Sequence, residues 1–178
     1  MDFLFIAPTS NPFIGKGWGS LQRTCLFFEA IARLGNVDVI SFQENVVSNR
    51  DNCHVLYSHF VQESVLRSRF RQLLNTVFPI SPYSLFPKDG VRASVVKSFI
   101  EKKDYDFIVC RYLQSAMECG LLDYPSKLIV DIDDSPKDVE ISAVKLAGSL
   151  RNKAFHCLRA GVISLVYKTI QSRCLVSF

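Results

Sequence analysis

Residues 1–42 constrain this chain more than any other stretch. Residues 3–8 (Phe-Leu-Phe-Ile-Ala-Pro) form an unbroken apolar run that starts almost at the N-terminus and stops at proline, the pattern of a strand buried on both faces. A polar, glycine-punctuated loop runs from Thr9 to Gly19, and a helix opens at Ser20, whose hydroxyl can cap a free N–H of the first turn. Leu21, Cys25, Phe28 and Ala32 recur at helical spacing, Ile31 and Leu34 widen the stripe, and Gln22, Glu29 and Arg33 take the other side. Gly35 is expected to supply the left-handed stop that helices favour, and Val37–Phe42 reads as the next strand. Strand, helix and strand in that order make a βαβ unit, which is right-handed in nearly all cases and belongs to a parallel sheet. The sequence thus predicts an α/β fold, a Rossmann-like parallel sheet with helices on both faces.

The remainder repeats the alternation less regularly. A weak strand at Cys53–Tyr57 precedes Leu66, Phe70, Leu73 and Val77, which mark an amphipathic helix with Arg67 and Arg71 outward. Residues 78–87 carry three prolines beside Phe78, Ile80, Tyr83, Leu85 and Phe86, too apolar for a solvated loop, so the segment packs in the core or docks on a lipid surface or partner domain. A helix over residues 91–103 leads into a buried-type strand at 106–111, and a short helix through Leu122 into another strand at 127–131. Ser135 and Pro136 fit the N-cap and first position of a helical region reaching Thr169, broken near Gly148 or Gly161. Residues 174–178 read as a last strand; a chain stopping there is expected to be one domain, residues 1–178, of something longer.

Of 178 residues, 48% are apolar and 21% charged, which excludes disorder, collagen and coiled coil. A chain of this size needs no metal or disulfide to hold its core. The six cysteines include no CxxC pair, pointing to a reducing, cytoplasmic setting. No window approaches the roughly 20 consecutive apolar residues that span a bilayer. The net charge is +4, and Lys145, Arg151, Lys153, Arg159, Lys168 and Arg173 all follow Glu140, after which no acid occurs. That basic quarter is either a solvated helix face or a surface for anionic lipid or a phosphate-bearing ligand, the latter implying a peripheral position at the inner face of the membrane.

Ligands of open parallel sheets bind outside the carboxyl ends of the strands, which singles out three places. The loop ending Gly15-Lys16-Gly17-Trp18-Gly19-Ser20 allows close backbone approach ahead of a helix N-terminus, where an anion is favoured, although neither a dinucleotide fingerprint nor a Walker A loop is present. Arg111-Tyr112 could hold a carboxylate, a phosphate or sugar hydroxyls, with pairing to an acid as the plainer reading. Asp131-Ile132-Asp133-Asp134 sets three carboxylates in four positions, where repulsion must be relieved by cations or donors; capping of the next helix by Asp134 or Ser135 leaves Asp131 and Asp133 unexplained. Cys53-His54 and His156-Cys157 lack a second pair at zinc spacing, so no metal is expected. With no GxSxG elbow, and with His54, His59 and His156 away from the strand ends, a serine hydrolase has no support. The basic quarter has no aromatic interleaving, so nucleic acid is not an expected partner.

Taken together, residues 2–8, the Gly-rich loop, the Leu/Phe/Ala-rich helix, Gly35 and Val37-Asp-Val-Ile-Ser-Phe resemble the start of GT-B type glycosyltransferases of family 4. Asp104-Tyr-Asp-Phe-Ile-Val-Cys-Arg-Tyr and Lys127-Leu-Ile-Val-Asp-Ile-Asp-Asp resemble later strand ends of the same N-terminal domain, in the expected order. The resemblance implies half of a retaining enzyme, commonly of bacterial surface polysaccharide synthesis. This half takes the glycan or lipid-linked acceptor, and a missing C-terminal domain binds the nucleotide-sugar donor without metal or other cofactor. On that basis Gly17 and Gly19 lie against the donor diphosphate or transferred sugar, and Arg111, Asp133 and Asp134 line the acceptor side, with Asp133 and Asp134 as the catalytic candidates; Gly15, Tyr112 and Asp131 are further substrate-binding candidates. Arg111 stands where the family often has a histidine, and the glutamate-rich donor motif belongs to the other half, so the fragment alone is expected to be inactive. Two alternatives are a GT-A type enzyme using Asp131-Ile132-Asp133 as a metal-binding DxD, and a noncatalytic α/β scaffold domain.

Overall fold

The computed structural model describes residues 1–8, 11–14, 19–48, 50–61, 89–131, 136–171 and 176–177. Along the chain run β1 (Asp2–Ala7), α1 (Gly19–Ala32), β2 (Asn36–Ser41), β3 (Cys53–Ser58), α2 (Gly90–Ile100), β4 (Phe107–Arg111), α3 (Leu113–Glu118), a 3-10 turn at Leu121–Asp123, β5 (Leu128–Asp131), α4 (Pro136–Leu146), α5 (Leu150–Gln171) and β6 (Val176–Ser177). The strands form one parallel sheet in the order β3-β2-β1-β4-β5-β6, confirming the predicted α/β, Rossmann-like class. The expected helix over residues 66–77 and the proline-rich stretch 78–87 lie outside the described residues.

β1 is central because its side chains are apolar on both faces: Phe3, Leu4, Phe5, Ile6 and Ala7 are all buried. Strand alternation sends Phe3, Phe5 and Ala7 to one face, where they pack with Phe28, Ile31 and Ala32 of α1 and with Val37, Val39 and Val109. The Phe5 and Phe28 rings meet edge to face at 5.4 Å. The other face buries Leu4, Ile6, Ile40 and Ile108, and α2 contributes the fully buried Val96. On this second face Asp38, 5% exposed, accepts hydrogen bonds from Tyr105 Oη at 2.9 Å and Lys103 Nζ at 3.0 Å.

Two local expectations are corrected. Gly35 is not in the left-handed region; instead a Cβ there would come within 2.1 Å of the Met1 carbonyl oxygen, which accepts from Asn36 N at 3.0 Å. The C-terminus of α1 is satisfied from elsewhere, by Asn52 Nδ2 donating to Ala32 O at 2.7 Å and Gly35 O at 3.0 Å. Leu34 does not widen the buried stripe: it lies past the helix end and is 59% exposed. Gly35→Ala should therefore destabilise the fold by about 1–3 kcal/mol through overpacking at the start of the β1–β2 ladder, read as a lower urea midpoint at unchanged m. The break in the C-terminal helical region falls at residues 147–149, around Gly148, whereas Gly161 continues within α5.

The chain divides into two compact units, one holding the sheet with α1, α2 and α3, the other holding α4 and α5. Within the second unit, Glu140 Oε2 and His156 Nδ1 lie 2.7 Å apart, tying α4 to α5 across the turn. Among the described residues no helix is long and apolar enough to cross a membrane.

Candidate functional site

From β1 the chain moves outward to β2 and β3, then returns to β4 on the other side of β1 and continues to β5 and β6. Strand order reverses between β1 and β4, and the crevice outside the carboxyl ends at that point is where doubly wound sheets bind ligands. The sequence places Pro8 after β1, Tyr112 after β4, and Arg111 and Asp131 as the last residues of β4 and β5.

Sheet register makes Arg111 and Asp131 direct neighbours, and alternation turns both toward the α1 face, in step with Val109. Arg111 Nε donates to Asp131 Oδ2 at 2.9 Å, and its Nη1 donates to Thr24 Oγ1 on α1. Arg23 Nη2 donates to the other carboxylate oxygen, Oδ1, at 2.9 Å. The Arg111 side chain is 1% exposed and that of Asp131 4%, whereas Arg23 is 46% exposed. The buried face of α1 thus begins with a polar residue, Thr24 at 1% exposure, one turn before Phe28. An arginine here suits a buried partnership, because its planar fork spreads charge over several donors.

Tyr112 closes the cluster from above β4. Its backbone has φ 66° and ψ 129°, outside the regions open to most L-residues and costing about 1–3 kcal/mol. Its N–H donates to Asp131 O at 2.9 Å, and its ring centroid lies 4.7 Å from the Arg111 guanidinium carbon. Because α3 starts at the very next residue, the strained turn aims the chain directly from strand into helix. That leaves Tyr112 half-buried beside the crevice.

The geometry sorts the predicted residues. Arg111, Tyr112 and Asp131 come together, but the Arg111 and Asp131 side chains face each other and α1 rather than solvent. Gly19 is the exposed first residue of α1, where a Cβ would meet nothing within 4 Å. Gly15, Gly17, Asp133 and Asp134 lie outside the described residues. Sequence reasoning missed Arg23 and Thr24; the available signal was a charged and a hydroxyl side chain in the opening turns of a helix otherwise read as apolar.

Each oxygen of the Asp131 carboxylate takes a bond from a guanidinium, and the solvent-exposed member of the cluster is Arg23. With each Asp131 oxygen bonded to a guanidinium, a metal cation approaching it would meet two positive charges, which weighs against Asp131 as a first ligand of a DxD metal site. Elsewhere, a cavity of about 270 Å³ lies beside Lys103, Tyr105, Tyr124 and Lys127, residues that precede β4 and β5 and so mark the edge of the sheet away from the strand tips. No protein-family model, curated protein or solved structure matches the chain.

Proposed function

We propose that this chain is the acceptor-side domain of a GT-B type retaining glycosyltransferase. The observation that carries the reading is the bonding of α1's opening turns, through Arg23 and Thr24, to the tips of β4 and β5 beside the β1/β4 switch point. Glycosyl transfer from a nucleotide sugar develops negative charge on a departing diphosphate. Fixed cations and amide dipoles in a shielded crevice stabilise such charge strongly, since they need no reorganisation as it forms. In this reading Arg23 and the N-terminus of α1 supply the positive field, and the glycines of the preceding loop, Gly15 and Gly17, are assigned to the diphosphate. Arg111 and Asp131 are positioning residues that hold α1 to the strand tips. Asp133 and Asp134, next in sequence after β5, accept the acceptor hydroxyl's proton. The donor's nucleotide is held by a separate domain.

The test is release of nucleoside diphosphate by the full-length protein from a panel of nucleotide sugars with glycan acceptors, with and without Mn²⁺. Arg23→Ala and Asp133→Asn should each lower kcat about tenfold or more, with a cooperative urea transition checking that each variant is folded. Full activity in both variants would reject the assignment and favour a noncatalytic binding domain, and strict dependence on Mn²⁺ would favour the GT-A class.

A further inference from the structure

α4 and α5 are joined by residues 147–149 alone, a connection short enough to force antiparallel packing, which the Glu140–His156 contact confirms. The turn is ordered: Ser149 Oγ accepts from Asn152 N at 3.2 Å, and Ser149 O accepts from Lys153 N at 3.0 Å. Yet the two residues flanking it are leucines with almost nothing over them, Leu146 at 87% and Leu150 at 88% exposure. Lys145, Arg151 and Lys153 beside them are also exposed. No Asp or Glu follows Glu140, so every charged residue from Ile141 onward is a cation. The described acids of α4 are set back from the tip: Asp138 lies more than two turns before Leu146, and the buried Glu140 is held against His156.

We propose that this hairpin tip docks on an anionic lipid bilayer, Leu146 and Leu150 entering the boundary between headgroups and acyl chains while Lys145, Arg151 and Lys153 lie against lipid phosphates. Two exposed leucines on a convex turn suit a fluid interface, which closes around small apolar protrusions. They fall far short of the roughly 800 Å² per partner that a stable protein interface buries. Basic residues within a Debye length of an anionic leaflet add a salt-sensitive attraction. The proposal stands on the hairpin alone and survives whether or not the chain transfers sugar.

Flotation of the whole chain with phosphatidylcholine vesicles, with and without about 30% phosphatidylserine, tests it. Binding is expected only with phosphatidylserine, and should weaken steeply between about 0.1 and 0.5 M NaCl. Leu146→Ser/Leu150→Ser should weaken it about tenfold or more. Lys145→Gln/Arg151→Gln/Lys153→Gln should do the same with a reduced salt response. All substituted side chains are exposed, so circular dichroism and the urea midpoint should match the parent and separate lost binding from misfolding. Vesicle binding unchanged by both sets of substitutions overturns the proposal. So does concentration-dependent dimerisation that the leucine pair abolishes, which would make a second copy the occupant.

Discussion

Arg111→Met should remove about 3–5 kcal/mol of folding stability, the loss found when one partner of a buried ion pair is deleted and the other stays behind. The side chain is 1% exposed and bonds Asp131 and Thr24. Methionine replaces most of its bulk but none of its donors. Asp131, at 4% exposure, would retain only the bond from Arg23, and the Thr24 hydroxyl would lose a donor 87 residues away in sequence. For a domain of this size the midpoint of thermal unfolding should fall on the order of 10 °C. Arg111→Met/Asp131→Leu should recover more than half of the loss, because it removes both buried charges and the remaining guanidinium, Arg23, is 46% exposed. A urea-denaturation cycle over the two singles and the double measures the coupling. A cost below about 1 kcal/mol for Arg111→Met would mean that solvent replaces the arginine.

Raising the pH above about 9 should lower the stability of the fold. Burial pushes the Cys119 thiol from its usual 9.0 up to about 12 and pushes Cys110 up as well. Burial and the bond to Asp38 raise the Tyr105 phenol above its usual 10.0. Each group keeps its proton in the folded chain at a pH where the unfolded chain has released it. Between about pH 9 and pH 12 the unfolded state therefore binds fewer protons, and stability falls as pH rises. Below pH 9 these groups are protonated in both states and contribute no slope. Urea midpoints under reducing conditions should decline from pH 9 upward, and Cys110→Ala/Cys119→Ala should flatten the decline. Parallel pH profiles for parent and variant would show that the thiols titrate alike folded and unfolded.

The strands were legible because their signal is local. Runs such as residues 3–8 and 106–111 are apolar without interruption, which a chain tolerates only where both faces are covered, and each became a strand within a residue or two of its expected limits. Glycine and helix stops were harder. Gly35 reads as a conformational stop, but its real constraint is the Met1 carbonyl lying against it, a neighbour 34 positions away in sequence. The apolar stripe of α1 holds at Phe28, Ile31 and Ala32 but omits Thr24, which a helical wheel ranks as polar and therefore outward. Its burial makes sense only once Arg111 stands opposite.

By itself the sequence determined the class of fold, the direction of the chain through its first βαβ unit, and the strand ends as the places where chemistry collects. It also showed a C-terminal region of uniformly positive charge. All of these follow from periodicity and composition, which act over a few residues. Tertiary structure alone decided that Arg111, Asp131, Arg23 and Thr24 share one cluster. Register across β4 and β5 brings together residues 20 apart, and packing of α1 on the sheet brings in a third residue 108 apart from its partner. Nothing local encodes such pairings: burial leaves a charge no water to turn to, so the fold must bring it a partner from wherever in the chain one is carried.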